Sequence, residues 1–199
     1  MIGPLEKSRS RCHHASMTLA FVVFSLLMGT AYGLESQPSE YGVKAAFLFH
    51  FAKFVQWPAE ADRISVSTLT VGIVGEDPFG RALDDVVDGK RLQGRPFTIK
   101  RFGSVDDLEP CHILFVSASA ARDFERILQK LGGAPVLLVG DGEGFAETGG
   151  VIELYTENRK VRFAVNPGAA ERARLELSSE LLNLARIAND RLSNKTNGE

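Results

Sequence analysis

The sequence predicts an α/β domain: a mostly parallel central sheet with helices on both sides, ended by a C-terminal β-hairpin and a helix. Three observations carry that reading. First, "CHILFVSA" and "APVLLVGD" hold continuous apolar runs, as strands buried on both faces do. Second, segments with helical caps and stops separate these runs, giving a helix and then the order β-α-β-β-α-β. Third, "GGVIELYTENRKVRFAVN" (149–166) alternates on both sides of a polar "ENRK", the pattern of an antiparallel hairpin.

The elements follow in order. Ser39 caps a helix whose first turn carries Glu40, and Pro58 sets its end at Trp57. "TLTVGIVG" (68–75) is a β-branched strand ending in glycine. "DPFGRALDDVVDG" (77–89) is a helix capped by Asp77, with Pro78 at its first position. "PFTIKRF" (96–102) alternates, so one face is wetter. His112–Ala118 is a strand, 117–133 a helix with a glycine stop, and Ala134–Asp141 a second buried strand. After the hairpin, Asn166 and Pro167 start a helical segment. The alternation in "RLELSS" (174–179) permits a short strand, with helix as the alternative. "SELLNLARIANDRL" (179–192) reads as a helix with Leu181, Leu182, Leu184, Ala185 and Ala188 on its core side.

Residues 1–33 have the form of a secretory signal: Lys7, Arg9 and Arg11, then the apolar "MTLAFVVFSLLMG", then "TAYG" with small residues at the cleavage positions. The apolar run is short for a membrane span, which takes about 20 residues. Cleavage leaves one domain, 34–199, which does not itself span a membrane. It also removes three basic residues and one acidic residue, so the 23 Lys and Arg become 20, the 25 Asp and Glu become 24, and the net charge goes from −2 to −4. That balance argues against nucleic acid as a partner. Cys111 is then the one cysteine left, at the start of an apolar strand, and reads as an inert core thiol.

No phosphate loop, nucleophile elbow or dinucleotide fingerprint is present, so no catalytic residue and no cofactor is named. His50 and His112 lack a second ligand at metal-binding spacing, so no metal is expected. One arrangement suits a small ligand. In an open parallel sheet, ligands bind outside the carboxyl ends of the strands. Those ends carry Glu76, Asp77, Ser117, Ser119 and Asp141, beside Gly75 and Gly140. Ordinary strand-to-helix loops explain the same residues.

The segment "KAAFLFHFAKFVQWP" (44–58) holds four Phe and one Trp. Rotation at about 100° per residue gathers Phe47, Leu48, Phe51, Phe54 and Val55 on one side. Lys53 points opposite, flanked by His50 and Gln56, with Phe49 and Trp57 on the same second face. Aromatics with a cation between them suit an interface, which makes Phe49, His50, Lys53 and Trp57 candidate partner-binding residues. Cover by the C-terminal helix or tail within the monomer is the alternative.

The whole pattern resembles a known family. "YGVKAAFLFHFAKFVQWP", "TVGIVGEDPFG", "CHILFVS", "FAETGGVIELYTENRKVRFAVN" and "LELSSELLNLARIA" are similar, in this order, to segments of the YfiR-like family of secreted bacterial proteins. The resemblance implies a periplasmic α/β domain, often a homodimer. It also implies a negative regulator that binds the periplasmic sensor domain of an inner-membrane diguanylate cyclase, lowering cyclic di-GMP and biofilm formation. It supplies no catalytic residue. Some members carry stabilising disulfides, which the unpaired Cys111 excludes within this chain.

Overall fold

Ser39 opens the first helix as expected. Its Oγ accepts from the Gly42 N–H at 3.0 Å, and α1 runs Glu40–Phe54. It stops short of Trp57 because the chain turns extended at β1 (Val55–Gln56), which pairs antiparallel with β9 (Glu176–Leu177). The β-branched Val55 suits that geometry. The computed structural model describes residues 39–189, all within the unit Pro38–Glu199. The signal segment 1–33 lies outside the described residues.

The sheet is built from β2 (Leu69–Val74), β3 (Arg91–Leu92), β4 (Arg95–Phe102), β5 (Ile113–Val116), β6 (Leu137–Gly140), β7 (Ile152–Glu157), β8 (Lys160–Val165) and β10 (Arg186–Ile187), in the order β10-β8-β7-β6-β5-β2-β4-β3. The pairs β4–β2, β2–β5, β5–β6 and β6–β7 are parallel. The hairpin β7–β8 is antiparallel and turns through Asn158 and Arg159, both at positive φ. It belongs to the same sheet, and β10, parallel to β8, lies outside it.

Register assigns the faces, since aligned residues of parallel strands point the same way. Phe115 aligns with Ile73 and meets Phe79, whose ring meets Tyr41 of α1. This face lies beneath α1 and α2 (Arg81–Val87). Phe163 of β8, packed against Phe47 and Phe51, continues it. Leu114 and Leu138 face the other way, toward α3 (Phe124–Leu131) and α4 (Pro167–Arg172). There Leu128, Leu131, Leu138, Ala169 and Ala173 border a cleft of about 210 Å³. The result is three layers, as the sequence predicts. Glycine in mid-strand is required at Gly72, where a Cβ would come 2.9 Å from the Phe102 ring and 3.1 Å from Leu114.

Three further boundaries differ from expectation. Helix α2 begins at Arg81, not Asp77, because Asp77 caps a turn instead: its Oδ1 accepts from the Phe79 N–H at 2.7 Å. The segment after β5 starts as a 3₁₀ turn (Ala118–Asp123) before α3, which ends at Gly132 in the left-handed conformation. The largest difference is at the C-terminus. Helix α5 is only Ser179–Leu184, after which Ala185 is extended and the chain adds β10 to the sheet. Leu184, expected in the core, is 75% exposed, while Leu181 and Ala188 are buried. A Leu- and Ala-rich string has helical propensity, but pairing with β8 satisfies its backbone and overrides it.

Candidate functional site

The carboxyl ends of β2, β5 and β6 do bring Glu76, Asp77, Ser117, Ser119 and Asp141 to one end of the sheet, and most of their polar groups bond one another or neighbouring elements. Gly75 has φ +92°, and a Cβ there would sit 2.4 and 2.5 Å from the Ser117 and Ser119 hydroxyls. The missing side chain lets these serines close over the strand end. Their Oγ atoms are 2.7 Å apart, and the Ser119 Oγ accepts from the Glu76 N–H at 2.8 Å. The Glu76 side chain is exposed. Asp77 accepts from Arg101 Nε at 2.7 Å, and Arg101 Nη2 also reaches Asp84 at 2.6 Å. Those bonds, to Asp84 first and then Asp77, raise the Arg101 pKa.

Asp141 is tied to α1. Its Oδ2 accepts from the Tyr41 hydroxyl and from Lys44 Nζ, each at 2.9 Å, and Lys44 also bridges Glu40 at 2.8 Å. The Lys44 and Asp141 side chains are only 5% and 4% exposed. Burial alone would depress Lys44, but the bonds to Glu40 and Asp141 outweigh it and hold the ammonium above its usual value. The same bond from Lys44 lowers Glu40, while burial and Asp141 raise Tyr41. Asp141 Oδ1 is buried with no hydrogen-bond partner. The sequence did hold a signal for this lock. Lys44 lies four and seven residues before Leu48 and Phe51, on the core stripe, where a lysine needs a buried acid.

The second face of α1 is less exposed than its rotation suggests. Phe49 is 8% exposed and packs on Phe97 of β4, ring centroids 5.3 Å apart. Trp57 is partly buried against the core, and its indole N–H donates to the His112 carbonyl at 3.2 Å. The expected surplus of surface aromatics is therefore covered within the monomer. Phe97 of β4 covers Phe49, and His112, just before β5, meets Trp57. His50 and Lys53 are exposed. Lys53 Nζ stands 4.5 Å over the Phe49 ring, and Lys90, which the sequence did not single out, stands 5.9 Å from it. The His50 ring meets Phe49 edge-on at 5.5 Å.

His112 is fully buried, with Nδ1 accepting from the Thr70 N–H at 3.0 Å. Among the described residues no cluster of three or more His, Cys, Asp or Glu is placed to hold a metal ion. Cys111 is buried and unpaired, and burial pushes its thiol up to about 12. No helix among the described residues is long and apolar enough to cross a membrane.

This architecture, a mostly parallel sheet between helical layers with its strand ends locked to the first helix, defines the class as an αβα domain. The model of the YfiR/HmsC-like family matches residues 41–186, and the chain belongs to that family. The family is periplasmic and regulatory rather than catalytic. Among solved structures, a conserved domain protein from Vibrio cholerae O1 biovar El Tor str. N16961 is similar, with a TM-score of 0.51 at 11% identity. The match covers 72% of this chain and 59% of that one, so the chain spans about three-fifths of that protein's length; at this identity the likeness bears on the fold alone. No curated protein matches the chain.

Proposed function

We propose that this chain is a periplasmic repressor. It binds the periplasmic sensor domain of an inner-membrane diguanylate cyclase and holds the enzyme inactive, lowering cyclic di-GMP and biofilm formation. The observation that carries this reading is the family match over residues 41–186. Export through the signal peptide 1–33 delivers the mature chain, 34–199, to that compartment, where it acts as a homodimer. The contact surface is the outer face of α1: His50 and Lys53 meet the partner, Phe49 supports both from below, and Trp57 anchors the end of this segment against the core. Deleting the gene in its own host should raise cyclic di-GMP, and restoring the wild-type chain should lower it again. Unchanged cyclic di-GMP on deletion contradicts the proposal.

A second reading, a small-ligand sensor working at the strand ends, has one specific observation in its favour. The buried Asp141 Oδ1 is an acceptor without a donor. Titration with a panel of small periplasmic amines and amino acids, followed by NMR, should then shift Asp141, Ser117, Ser119, Glu76 and Asp77. A panel that leaves these signals still removes this reading.

A further inference from the structure

We infer that the open edge of β4, with the groove beside it, takes an extended acidic segment of the partner as an added strand. This deepens the proposed function by stating the chemistry of the partner segment, and it rests on that reading only for the partner's identity. The edge itself follows from the hairpin. Gln93 and Gly94, at φ +51° and +80°, turn the chain so tightly that β3 pairs with Arg95 and Pro96 alone. On its inner side β4 is paired with β2 from Phe97 to Phe102. On its outer side no described strand covers those six residues. An edge of this kind presents main-chain N–H and C=O groups in strand register, which is what strand addition uses.

Two further features select the occupant. A groove of about 390 Å³ lies against the edge, with Val87, Phe97 and Ile99 among its apolar walls. Phe97 and Ile99 are two apart on β4, so they face the same way and match the alternate side chains of an added strand. The charge beside the groove is positive. Lys90 and Arg91 line it, and Lys53 stands over Phe49, which packs on Phe97. None of the three makes an ion pair among the described residues, whereas Lys44, Lys100, Arg101, Arg126 and Arg162 all do. Of the two carboxylates in the lining, Asp84 is held by Arg101, which leaves only Asp88 against these cations. A second copy of this chain would bring the same cations to the same edge, and like charges across a strand pair destabilise it. The complement is an acidic segment with alternating apolar residues.

The test uses three labelled peptides of about ten residues and the folded mature chain: alternating Val and Glu, alternating Val and Lys, and the Val–Glu peptide N-methylated at alternate amides. Fluorescence anisotropy reads binding, and hydrogen exchange reads the amides of residues 97–102. The expected result is that the Val–Glu peptide binds about tenfold or more tighter than the Val–Lys peptide, in a salt-dependent way. N-methylation should abolish binding, and exchange at 97–102 should slow. Lys53→Glu with Lys90→Glu should cost about tenfold in affinity with an unchanged melt. Several results overturn the inference: no peptide binding, equal binding of the acidic and basic peptides, binding indifferent to N-methylation, or protection elsewhere. Exchange at 97–102 that slows with protein concentration alone assigns the edge to a second copy and also overturns it. These readouts need no cyclase. Peptide binding as described, with cyclic di-GMP unchanged on gene deletion, would leave this inference standing and the proposed function fallen; repression without peptide binding would do the reverse.

Discussion

Two charged regions of this domain differ in what their charges meet. At the strand ends, Lys44, Asp141, Tyr41, Arg101 and Asp77 are bonded to one another or to nearby backbone, and the Lys44–Asp141 pair is buried. At the corner of α1, Lys90 and β4, Lys53 and Lys90 lie over the one Phe49 ring with no carboxylate partner among the described residues. The first arrangement holds α1 to the sheet. The second contributes little to the fold and remains available to a partner. Each prediction below breaks or sharpens that contrast.

The largest effect is expected at Asp141. Asp141→Ala leaves the buried Lys44 with only the half-exposed Glu40 as its acid, and breaking a buried pair costs about 3–5 kcal/mol. Adding Lys44→Met should recover much of the loss, since a well-packed apolar residue needs no partner. Urea denaturation measures both. A single variant as stable as wild type would mean the strand ends do not lock the helix.

Phe49→Ala comes next. The ring is covered by Phe97, so truncation should cost about 3 kcal/mol or more of stability, as core Phe-to-Ala changes do. A melt within a degree of wild type would return Phe49 to the surface role that its place on the helix suggested.

That residue shows how far the sequence reaches. Rotation correctly gathers Leu48, Phe51 and Val55 toward the sheet, and all three are buried. It treats α1 as having one buried side, but the β4 corner covers the other side too. A single helix's period carries no information about a second neighbour. The buried strands were legible because an apolar run without alternation has few other uses. The C-terminal helix was over-extended because propensity alone cannot reveal an available edge on β8. At the site, the strand-end row was legible from topology. Its closure was legible only in half: Lys44 on the core stripe calls for a buried acid, but that acid, Asp141, lies 97 residues away and no local pattern points to it.

Cys111 gives a smaller, pH-dependent effect. Cys111→Ser should cost about 1–3 kcal/mol through a buried hydroxyl and leave the oligomeric state intact. A reducing-agent-sensitive dimer lost in that variant would make the thiol an intermolecular bridge instead. The thiol's pKa is raised from 9.0 to about 12 in the folded chain. Its contribution is therefore complete below pH 9 and is lost as pH rises from 9 toward 12, because the unfolded state releases its proton first. Stability curves of wild type and Cys111→Ser should separate over that alkaline range. Parallel curves would contradict the burial of the thiol.

The smallest effect on stability and the largest on function are expected from the same variant, Lys53→Glu with Lys90→Glu. Both side chains are exposed, so the fold should change by about 0.5 kcal/mol or less. The measurement is cyclic di-GMP in a gene-deletion host complemented with this variant, alongside the thermal melt of the purified protein. The account predicts a wild-type melt and a failure to lower cyclic di-GMP. Full repression by the variant, or repression lost only together with the fold, would contradict it.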